Sequence, residues 1–131
     1  MNIYDIEKEV HLLKEKNDAL VSYVQGLTAE KTVRHAFSVD VENAHTSVYM
    51  ALDIAKRYIK GTATQQALLS AIDIIDSQLN DWKFTGAQLE SHLNTQQLIR
   101  LEQLNDDFLE QFRVCVAQLR TLAMRHDYSS F

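Results

Sequence analysis

Apolar residues recur at three- and four-residue intervals along almost the whole chain, and no proline interrupts that rhythm. They stand at Ile3, Ile6, Val10, Leu13, Leu20, Val24 and Leu27, then at Phe37, Val41, Ala44, Val48, Ala51, Ala55 and Tyr58. Leu68, Ile72, Ile75, Leu79 and Trp82 come next, and Leu101, Leu104, Phe108, Phe112, Cys115, Leu119 and Leu122 complete the pattern. A helix turning every ~3.6 residues gathers such positions onto one face. No stretch alternates with period two, so strands are not expected. With three glycines and no proline in 131 residues, turns have few places to form. A chain of this length, 46% hydrophobic and 24% charged, suits one domain with its own core.

The spacing predicts helices over roughly 2–25, 29–60, 63–83 and 87–126. Gly26 ends the first, and Thr28 can cap the second. Ser38 and Asp40 offer a point where the second restarts. Lys56, Arg57 and Lys60 before Gly61 form a helix C-terminus signal, with Thr62 or Thr64 capping the third helix. Thr85 and Gln88 have capping-box spacing and open the last segment. Asn94 and Thr95 kink or divide that segment, which would make five helices. The expected fold is all-α: an antiparallel four-helix bundle, or five helices if the last is broken near Asn94. Residues 1–131 form a single helical domain. A tight turn at Gly61 and Thr62 would set Ala55 opposite Ala67 and Ala51 opposite Ala71, small against small.

The first segment carries a finer pattern. With Ile3 as heptad position a, Ile3, Val10, Asn17 and Val24 occupy a, and Ile6, Leu13, Leu20 and Leu27 occupy d. β-branched residues at a with leucine at d favour a parallel pair, and one asparagine at a sets register at a cost in stability. Glu9 at g could meet Lys14 at e of a second chain. In this the stretch resembles a leucine zipper, which implies that residues 2–27 serve as a dimerisation helix through Ile6, Val10, Leu13, Asn17, Leu20 and Val24. The same stripe also suits a helix packed in its own bundle, and Val21 and Tyr23 widen the apolar face in that direction.

Candidate chemistry is sparse. Glu42 and His45 have the Glu-x-x-His spacing used by bundle proteins that hold two irons, and are weak metal candidates because no second copy exists. No metal and no cofactor are expected. His11 lies four residues from Glu7 and from Glu15, as favourable helical pairing explains. "RTLAMRHDY" at 120–128 resembles the Arg-x(4–6)-His motif of HEPN-type ribonucleases and their HepT branch. That resemblance implies an RNA-cleaving site, used in a toxin-type protein, with Arg120 and His126 acting on the phosphate and Tyr128 beside them. The same arginine equally suits a helix C-terminus. No glycine-rich phosphate loop, Cys-x-x-Cys pair or basic-aromatic array is present.

The formal net charge of -5 and pI of about 5.4 argue against a nucleic-acid partner. The single cysteine, Cys115, sits in an apolar run and reads as a buried thiol in a reducing compartment. No signal peptide and no span of ~18 apolar residues is evident, so a cytoplasmic protein without membrane contact is expected. The leading functional expectation is a non-enzymatic homodimeric helical protein, acting as an interaction or regulatory module on itself and on another protein. The alternatives are the ribonuclease and a bundle that binds a small molecule between its helices.

Overall fold

The computed structural model describes residues 2–125, apart from the side chains of Leu79 and Asn80. Four helices succeed one another: α1 (Ile3–Gln25), α2 (Lys31–Ile59), α3 (Gln65–Glu90) and α4 (Thr95–Ala123). There is no strand among the described residues, and none of their helices is long and apolar enough to cross a membrane.

Cross-helix contacts show each neighbouring pair to be antiparallel. Glu7 pairs with Lys56 near one end of α1 and α2, and Asp18 lies within electrostatic reach of His45 further along. Gln111 donates to Glu9, and the Tyr23 hydroxyl donates to the Gln97 carbonyl at 3.2 Å, which sets α4 against α1. Phe37 lies against Gly86, while Thr85 donates to Asp40 at 2.8 Å, which joins α2 to α3. Arg120 bonds to Asp76, and Trp82 meets Phe108 edge to face at 5.1 Å, which joins α3 to α4. The result is an antiparallel four-helix bundle, as the periodicity predicts.

All four helices send apolar side chains into one core, with Phe37, Phe108 and Phe112 the largest fully buried ones. Fully burying a leucine or phenylalanine contributes about 1.5–3 kcal/mol, so the shared stripe is the main source of stability. Trp82 belongs to that core.

The helix ends differ from the expectation in instructive places. α2 runs through Ser38 and Asp40 without restarting, because Ser38 is buried and the Asp40 carboxylate accepts from Thr85. Thr28 does not cap α2, which begins after Glu30 without any side-chain cap. Instead Arg34 donates to the Gln25 carbonyl at 2.7 Å and ties the end of α1 to the start of α2. α3 does not stop near residue 83. It continues through Thr85 and Gly86 to Glu90, since the Thr85 hydroxyl is engaged across the bundle and caps nothing. The true break falls at Asn94, whose side chain accepts from Gln97 N–H while Gln97 bonds back, a complete capping box. α4 therefore starts at Thr95, and four helices, not five, occupy the described residues.

Two turns match their sequence signals. Gly61 has φ of 79°, and the Thr62 N–H donates back to the Arg57 carbonyl at 2.8 Å, the pattern of a left-handed helix cap. Thr64 caps α3 by accepting from Ala67 N–H. The alanine pairing holds only in part. Ala51 and Ala55 are fully buried, whereas Ala67 is exposed and its neighbour Leu68 enters the core.

Candidate functional site

The stripe of α1 is enclosed within its own chain. Ile6, Val10, Leu13, Leu20 and Val24 have no exposed surface, and Asn17 is 5% exposed. α2 and α4 pack against this helix, so a second copy reaches these side chains only if the bundle opens. The Asn17 amide nitrogen donates to Asp18 at 3.2 Å. Its oxygen is buried and has no hydrogen-bond partner among the described residues.

Asp18 is the hub of a small polar group on the α1–α2 seam. Lys14 bonds to it at 2.9 Å, which holds the Asp18 carboxyl below its ordinary value of 3.8 and raises Lys14. His45, half-buried, stands edge-on to Tyr49 at 4.8 Å. Its Nε2 is buried without a partner among the described residues. Burial pushes the His45 pKa below its ordinary value of 6.5, so charging the ring in acid works against the fold. Glu42 is exposed on a neighbouring turn. No group of three or more potential metal ligands exists among the described residues, so Glu42 and His45 gain no companions.

Arg120 is bonded to Asp76 on α3 and is half-exposed. His126 and Tyr128 lie outside the described residues. Cys115 is fully buried, and burial, with the Glu9 charge adding to it, pushes its thiol up to about 12. A thiol so protonated is a poor nucleophile.

Two shallow grooves succeed one another along α2. One is lined by Thr46, Tyr49, Met50, Asp53, Ile54 and Arg57. The other lies between the start of α1 and the end of α2, with Ile3, Tyr4 and Glu7 facing Lys56, Ile59 and Lys60. Tyr4 is 71% exposed and Met50 61%. Of the charges at their margins, Lys56 pairs with Glu7 and Arg57 with Asp53, while Lys60 has no ion pair among the described residues. Reading the sequence for stripes missed Tyr4 and Met50 because both lie off the stripe. Their signal was that of large apolar residues at positions where a bundle needs polar ones.

No known protein family, no curated protein and no solved structure matches this chain.

Proposed function

We propose that this chain is a non-enzymatic helical module that acts by binding protein surfaces, its own second copy first among them. The contact face is the exposed side of α2 around Met50, with the adjoining start of α1. The observation that carries this is the exposure of Met50 and Tyr4 beside two grooves whose charges, Lys60 apart, are paired within the chain. Large apolar groups left in water around a groove mark an interaction surface. A face whose charges are mostly paired in place suits a two-fold contact, in which each patch meets its own image with little net repulsion. This moves the expected interface off the α1 stripe, whose side chains are occupied within the bundle.

Sedimentation equilibrium across a wide dilution range tests the reading. The wild-type chain is expected to be a dimer that dissociates on dilution. Met50→Lys should weaken it at least about tenfold, because a buried lysine ammonium must be desolvated. Helical content should stay unchanged, since Met50 is outside the core. A wild-type monomer at all concentrations, or a Met50→Lys dimer of undiminished strength, overturns the proposal. The ribonuclease reading expects RNA cleavage that disappears in Arg120→Ala. The present reading expects none from either chain.

A further inference from the structure

α3 and α4 form the least extensively packed of the four neighbouring pairs. Gln65 donates to the Ala123 carbonyl at 2.7 Å and Arg120 holds Asp76, which closes one end of their seam. Trp82 against Phe108 closes the middle. Beyond Trp82 the α3 side becomes small, with Gly86 and Ala87, and the helices leave a cleft of about 200 Å³. Trp82, Gly86 and Ala87 face Leu109 and Asn105 across it, with Lys83 and Glu90 on the same lining. The Asn105 Oδ1 is buried and has no hydrogen-bond partner among the described residues.

We infer that this cleft is a binding site for a small planar aromatic compound that carries one N–H or O–H donor, of the phenol or indole class. Three observations converge on that chemistry. The size is right, because an apolar cavity of ~150 Å³ takes up benzene. The walls are right, because an indole and a leucine offer apolar contact while the small side chain of Ala87 leaves room for a flat ring. The polarity is right, because an amide oxygen without a partner is satisfied only by a donor. Asn105 lines the cleft, and the terminal torsion of an asparagine is broad, so its amide can turn to meet a bound donor. The site lies on α3 and α4, away from the α2 face, and does not depend on the dimer reading.

Trp82 is the only tryptophan in the chain, so its indole N–H resonance reports on the cleft alone. Phenol and anisole serve as probes of similar shape, and only phenol carries a donor. Titrating the full chain with phenol should shift the Trp82 resonance saturably. Anisole should bind roughly tenfold more weakly, the loss expected for one hydrogen bond. Ala87→Phe fills the cleft from an exposed helix position, so the fold should persist by circular dichroism while both titrations vanish. Asn105→Leu should keep apolar binding and abolish the preference for phenol. No saturable shift, equal binding of phenol and anisole, or an Ala87→Phe chain that titrates like wild type overturns the inference.

Discussion

Asn17 holds a buried oxygen with no partner among the described residues of its own chain, inside a stripe that is otherwise apolar. Such an atom costs about 1–3 kcal/mol in the folded state. The bond from its nitrogen to the exposed Asp18 returns little of that, since water competes for both groups. Asn17→Val should therefore stabilise the chain by about 1 kcal/mol in urea unfolding, with its solution mass unchanged. A more stable variant that spreads into trimers or mixtures would mean that the amide pairs across chains and fixes their number. His45 stands in a similar position on the neighbouring helix, where Nε2 is buried without a partner among the described residues and burial lowers the pKa of the ring.

At the scale of a helix, two glycines do opposite things. Gly61 has positive φ and open space around it, so only its backbone freedom matters. Gly86 lies inside α3, where a Cβ would meet the Phe37 ring at 3.4 Å, an ordinary contact. Gly61→Ala should cost about 1–2 kcal/mol from the left-handed backbone. Gly86→Ala should gain about 0.5–1 kcal/mol from helix propensity, and Gly86→Leu should lose about 1–3 kcal/mol by pushing on Phe37. Urea midpoints of the three variants check this, and a destabilised Gly86→Ala would show that α3 and α2 cannot separate even slightly. Gly61 was legible in the sequence because cations precede it in the last turn of α2. Gly86 was not, because a glycine that admits a ring from another helix has the same local signature as one that ends a helix. Thr85 misleads for a related reason: its hydroxyl serves Asp40 forty-five residues away.

Over the whole molecule, the core is continuous through all four helices, so it should open as one unit. Cys115 lies at full burial within it, with a thiol pushed up to about 12. Near neutral pH, iodoacetamide should label it only through global unfolding, at a rate that rises with urea in step with the unfolded fraction. Rapid labelling without urea would reveal a local opening of α4. The fold class was readable from the sequence because a stripe at helical spacing must be covered, and four such stripes cover one another. The break at Asn94 was also readable, but its capping box with Gln97 was not, since Thr85 and Gln88 offered the same spacing nine residues earlier. The partner of the α1 stripe was not readable. An a/d pattern states that a face is apolar, and both a second copy and α4 satisfy it equally well. Likewise, the periodicity held no sign of the α3–α4 cleft or the exposed Met50, because gaps and leftover surface arise only once the helices have chosen their neighbours. Helical periodicity is a relation between residues close together in the chain, so the order of residues alone dictates it. Which apolar groups remain in water depends on packing between residues far apart in the chain, and that is settled only when the four helices meet.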